Sequence, residues 1–201
     1  MKVGAIVEGH GEVIAVPVLV RRVALHLGVV NVPEVLKPHR VHRQRLPKPG
    51  ELERAVELMA RKVGEGGKLL VLLDADDDCP AKLGPSLLAR ARAARADREI
   101  AVVLAKRMYE AWLLGATESL RGKRSLPPDL ALDEDPEGLA SPKRWLDARM
   151  ARGYAETLDQ AALTEAFDIE EARRVDSFDK FVRDLGRLLG VTVAAKARAP
   201  D

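Results

Sequence analysis

Aromatic side chains make up only 3% of this 201-residue chain, so Leu, Val and Ala must build its core. Cysteine occurs once, at Cys79, which excludes an internal disulfide and a thiolate zinc cage. An excess of one charge is also missing: 33 Lys and Arg stand against 31 Asp and Glu, a net +2. Any affinity for nucleic acid must therefore come from local patches rather than a global basic field. No apolar run approaches the ~20 residues that span a bilayer. The first run is brief and breaks at Glu8, so a signal segment and a membrane partner are not expected. A Gly-x-x-x-x-Gly-Lys-Ser/Thr phosphate loop is absent too, which argues against an ATPase of that type.

What is present is a chain 47% hydrophobic and 32% charged, of a length that fits one domain. A soluble, cytoplasmic globular protein is the expectation. Near-continuous apolar runs at Lys2–Val7, Lys68–Leu73 and Ile100–Ala105 read as buried strands of a parallel sheet. Asn31–Leu36, broken by Pro33, reads as an edge strand, and a further short strand is possible around Val41. Helices are expected over Val13–Leu27, starting near Ile14 because of Pro17, and over Glu51–Val63, Pro80–Arg98 and Tyr109–Thr117. Strand and helix thus alternate, the order of an α/β fold with about four mostly parallel strands. The first unit is placed at residues 1–120. A Pro-rich, acidic linker follows at 121–141, then a helical region at 142–190 and a frayed tail at 191–201. Ser141 and Ser177 are expected to cap two of those helices. The last one carries an apolar stripe from Phe178 to Leu189 that could serve a homodimer.

Two acidic clusters follow the buried runs. Glu8 and Glu12 flank a Gly-rich turn after the first, and Asp74, Asp76 and Asp78 alternate after the second. In open α/β sheets ligands bind beyond the carboxyl ends of the strands. Carboxylates two apart in extended chain project to one side. Two like charges ~4 Å apart repel by about 4 kcal/mol at an effective dielectric of ~20. A divalent cation relieves that repulsion, and hard oxygen ligands without Cys or paired His favour Mg²⁺ or Mn²⁺ over zinc.

Glu8-Gly9 after the first strand, with Asp74-x-Asp76 after a later one, resembles the signature of the Toprim domain. The second acid at Glu12 looks most like the branch found in overcoming-lysogenization-defect (OLD) nucleases. Arg107–Leu114, Tyr154–Gln160 and Ser177–Phe181 are similar to segments of small bacterial Toprim-like proteins, so the likeness covers most of the chain. The resemblance implies a Toprim-like (Rossmann-like) fold and nuclease chemistry with paired metal ions. By it, Glu8 and Glu12 would hold one cation or deprotonate water, and Asp74 and Asp76 would hold a cation. Glu110 would complete the ring of carboxylates, and Lys106 would be the lysine near the site. A separate ATPase partner and a role in phage defence or DNA repair are also implied.

Two basic segments could meet a phosphate backbone, DNA in preference to RNA. One is the loop carrying Lys37, Arg40, Arg43, Arg45 and Lys48, which lies between the acid-bearing strands; the other is Arg90, Arg92, Arg95 and Arg98 on one helix. Other positions are weaker: His10 reads as an exposed turn residue, Cys79 lacks a basic partner, and Tyr109 reads as packing. A non-catalytic Toprim-like module that binds nucleic acid or protein is the main alternative. A haloacid-dehalogenase-like phosphatase fits less well, because the Asp-x-Asp pair comes late and Asp77 follows it.

Overall fold

Three apolar runs form the middle of a parallel sheet, because a strand covered by helices on both faces needs no polar alternation. They are β1 (Lys2–Val7), β4 (Lys68–Asp74) and β5 (Ile100–Ala105). A computed structural model describes residues 1–42, 44–46 and 48–196. Two further strands of two residues each, β2 (Glu34–Val35) and β3 (His39–Arg40), run parallel along the outer side of β1. Pro33 and Pro38 cannot donate to a ladder, which confines this broken strand to an edge. The result is a Rossmann-like α/β sheet of five strands, one more than the sequence suggests, in the order β2-β1-β4-β5 with β3 also on β1.

Each buried strand turns alternate residues to opposite faces. Leu69, Val71 and Leu73 meet α2 (Glu51–Val63) and α3 (Pro80–Ala94) on one side. Leu70 and Leu72 meet α1 (Glu12–His26) and the C-terminal helices on the other. In α2, Leu52, Ala55, Val56, Met59 and Val63 are buried, the stripe expected from their spacing, and Gly64 stops the helix at φ 75°. Pro17 does not delay α1; it sits inside, in the second turn, where it removes one ladder bond.

After β5 the chain makes only a short α4 (Glu110–Leu114), not the longer helix expected to reach Thr117. Residues 121–141 form turns that bury Leu126 and Leu130 in the same core as the sheet. Then come α5 (Pro142–Asp147), α6 (Glu156–Ala166), α7 (Ile169–Ala172) and α8 (Asp176–Leu188). Ser141 caps α5 as expected, accepting from the Arg144 N–H. Ser177 does not cap α8, whose cap position is Val175. Its hydroxyl instead accepts the Trp112 indole N–H at 2.7 Å and the Lys106 backbone N–H at 3.1 Å. Phe178, Phe181, Val182, Leu185 and Leu188 form the buried stripe of α8. The scarce aromatics gather here: Tyr109, Trp112, Phe167, Phe178 and Phe181 form one chain of ring contacts. The segment 191–196 lies against α7 and α8, with Arg173 donating to the Ala194 carbonyl at 2.7 Å. No helix among the described residues is long and apolar enough to cross a membrane.

Candidate functional site

At the end of β1 the Glu8-Gly9-His10-Gly11 turn leads straight into α1, so Glu12 is the first helical residue. Its carboxylate turns back, and Oε2 accepts the backbone N–H of Glu8 and of Gly9, each at 3.1 Å. Asp74 ends β4, and its Oδ1 accepts the Tyr109 backbone N–H at 2.8 Å. That same turn after β5 opens α4 at Glu110, whose side chain is fully buried. Three acids from the carboxyl ends of three neighbouring parallel strands therefore converge, with Glu8 beside them.

Burial is the main cause that holds all three above the usual carboxylate range. Glu12 is pushed up to about 7, with the Gly9 N–H opposing and the Glu8 charge adding. Asp74 is driven well up by burial and then by the charges of Glu12, Glu110 and Glu8. Glu110 is also raised by burial, against the opposing pull of Lys143.

The C-terminal helices form the roof. Tyr154 donates its hydroxyl to Glu110 Oε1 at 2.8 Å, and Gln160 Nε2 donates to the same oxygen at 3.1 Å. Lys143 Nζ lies 3.9 Å from that oxygen and 2.8 Å from Glu156 Oε2. Burial works to lower the lysine, but the facing carboxylates raise it overall, so it stays charged. Glu156 Oε1 accepts the Gly11 N–H at 3.0 Å, which ties α6 to the first turn of the site. Burial alone would raise Glu156; Lys143 and that N–H outweigh it and hold it low. The contact requires glycine: a Cβ at Gly11 would stand 2.6 Å from Glu156 Cγ and 2.8 Å from its carbonyl oxygen. Glu110 Oε2 and Gln160 Oε1 are buried without a hydrogen-bond partner.

Lys143, Glu156 and Gln160 are site residues that sequence reasoning did not single out. Tyr154 is marked only as the first residue of the Tyr154–Gln160 likeness. The likeness over Tyr154–Gln160 flagged the segment, but no periodicity tells which turn, 145 residues away, a helix start will meet.

Asp76 does not continue an extended series from Asp74. Its φ is 50°, it is exposed, and its N–H pairs with the Arg107 carbonyl in an antiparallel bridge. Asp78 is exposed beyond it. Lys106 directs its ammonium to Glu137, 3.7 Å away, whereas the ammonium at the acids is that of Lys143. Tyr109 is packed as expected, its hydroxyl 2.8 Å from Thr164 Oγ1. His10 and Cys79 are exposed.

Among the expected nucleic-acid contacts, Lys37, Arg40, Arg45 and Lys48 are exposed, and Arg43 lies outside the described residues. Arg40 donates to the Glu8 carbonyl at 3.3 Å, which sets this loop at the rim of the acids. Arg45 is paired with Glu51 at 2.8 Å. The helix patch is largely used internally: Arg90 forks onto Glu53, and Arg95 grips Asp97 and Glu57. Arg98 stands 3.3 Å from Asp97.

The donor chemistry suits a hard divalent cation: one oxygen each of Glu12, Asp74 and Glu110 is fixed by a protein donor, as ligand carboxylates are. Among the described residues, however, no three acid, histidine or cysteine side chains form a group able to hold a metal ion by themselves.

No curated protein and no solved structure matches the chain. The family described as "Domain of unknown function (DUF4276)" matches residues 7–186, nearly its whole length, and the chain belongs to that family.

Proposed function

We propose that the chain is a Mg²⁺- or Mn²⁺-dependent phosphodiesterase of Toprim-like type that cleaves nucleic acid, DNA in preference to RNA. The observation that supports this reading is the convergence of Glu12, Asp74 and Glu110 beyond the ends of β1, β4 and β5. A cluster whose charged forms are disfavoured is stabilised by a bound cation. Glu12 and Asp74 would hold the ion, with Glu8 close by and Asp76 and Asp78 at the rim. When bound, such an ion supplies an activated water and stabilises a leaving oxygen. Glu110 is held in place by Tyr154 and Gln160, and Lys143 offers a positive charge to a phosphate. Arg40, at the Glu8 carbonyl, together with Lys37 and the rest of its loop would meet the nucleic-acid backbone.

The test uses full-length protein, supercoiled plasmid and Mn²⁺, with ion binding followed by calorimetry. Nicking by the wild type should fall about a hundredfold or more in Asp74→Asn and Glu12→Gln, a loss of ~3 kcal/mol of transition-state stabilisation. Protein that binds neither Mn²⁺ nor Mg²⁺ and cuts neither DNA nor RNA overturns the proposal. One rival is a non-catalytic module that binds nucleic acid or protein. Metal-independent DNA binding without cleavage would establish it. An ATPase partner in defence or repair predicts that a co-encoded ATPase stimulates cutting when ATP is supplied.

A further inference from the structure

Among the described residues β5 has a strand partner on one side only, because the sheet order ends there. Which of its backbone groups face outward follows from the ladder with β4. The Glu99 carbonyl accepts the Leu69 N–H at 3.0 Å and the Ala105 carbonyl accepts the Ala75 N–H at 2.8 Å. Odd-numbered residues therefore bond inward to β4, and Ile100, Val102 and Leu104 turn their N–H and C=O groups outward. The next outward donor, the Lys106 N–H, is already taken by Ser177 Oγ, which ends the free edge at that point. A row of unpaired donors and acceptors on an edge strand is a template for another strand.

That edge is the floor of a groove of about 720 Å³ walled by α3 and α8. The α3 wall is made low and apolar by Ala81, Gly84, Pro85 and Leu88. Its far end, near Ile100, is basic. Arg92 is exposed and makes no ion pair or hydrogen bond among the described residues. Arg98 is half-buried, with its Nε 3.3 Å from Asp97 Oδ2 and making no hydrogen bond. Asp184, on the opposite wall, is shared by Lys180 and Arg187, so it does not neutralise both. Glu99 is held by Lys68 at 3.0 Å.

We propose that this groove binds an extended segment of a partner protein as an added strand on β5, with an acidic side chain of that segment seated between Arg92 and Arg98. Main-chain pairing to residues 100, 102 and 104 supplies affinity, and the apolar walls and arginines supply selection. α3 and α8 both pack on β5, so a second sheet edge arriving with its own flanking helices would meet them. The groove is separate from the acidic site, and the inference stands or falls independently of the phosphodiesterase reading.

The experiment selects displayed hexapeptides, capped at both ends by linker, on the full-length protein and remeasures the enriched sequences as amidated synthetic peptides. Enrichment of β-branched runs next to Asp or Glu is expected, with binding about tenfold weaker to Arg92→Gln. Amide exchange should slow at Ile100, Val102 and Leu104 on binding, and N-methylation of the peptide should abolish affinity. Arg92 is exposed and unpaired, so its replacement leaves the fold intact. No enrichment, equal binding to Arg92→Gln, or unchanged exchange at those three amides overturns the proposal. Self-association of the protein that occludes the groove would identify a second copy as occupant and overturn it as well.

Discussion

Glu12 is the residue on which the site's electrostatics can be read most directly. Its carboxyl, ordinarily near 4.5, is raised to about 7 because burial disfavours the charged form and Glu8 repels it. A carboxyl raised on folding binds its proton more tightly in the folded state, so its contribution to stability is complete below 4.5. That contribution fades as the pH climbs through about 7. A shift of this size is worth about 3 kcal/mol. In protein freed of divalent ions, the melting temperature should therefore fall between pH 5 and 8, and Glu12→Gln should flatten that fall. Melting followed by circular dichroism across the range checks this; a curve identical in wild type and Glu12→Gln refutes it. The positions of Glu8 and Asp74 at strand ends were legible because a buried strand followed by an acid is a local pattern. Asp76 was not, since alternation presumes extended backbone and a φ of 50° breaks it. Lys143 was illegible for another reason: a lysine on a short polar helix is indistinguishable from a solvated one until its partners are known.

At the scale of elements, the first three long strands and α2 fell where apolar periodicity placed them, because each is specified by its own burial pattern. The C-terminal helices were legible as helices but not as a roof. Ser177 illustrates the gap: Ser before an apolar stripe reads as a cap, yet its hydroxyl is consumed by Trp112 and Lys106 on the neighbouring element. The join between α6 and the β1–α1 turn rests on the absence of a single methyl group at Gly11. Gly11→Ala would force its Cβ against the Glu156 backbone, and overpacking of this kind costs ~1–3 kcal/mol. Its φ of −65° suits alanine, so the loss would come from crowding alone. Urea denaturation should show that loss, together with higher proteolytic sensitivity at the start of α6. Unchanged stability in Gly11→Ala would mean that α6 does not sit tightly on this turn.

For the whole molecule, one face of the sheet shares a continuous core with α1, the 121–141 segment and α6 to α8. Elements that bury one another's apolar surface unfold together. Unfolding followed by backbone dichroism and by Trp112 and Trp145 fluorescence should therefore give one coincident transition. A chain stopped after residue 141 should show no cooperative transition at all. Two separated transitions would make the C-terminal helices an independent unit.

The tie between Glu110 and Gln160 spans 50 residues of chain. During synthesis at ~5–20 residues per second, the strand ends leave the ribosome about 3 to 10 seconds before their lid. Through that interval the nascent polypeptide carries its acids bare and hydrated, with neither Lys143 nor Tyr154 to shelter them. The arrangement of acids under Lys143 and Tyr154 thus exists only once the C-terminal helices have been made.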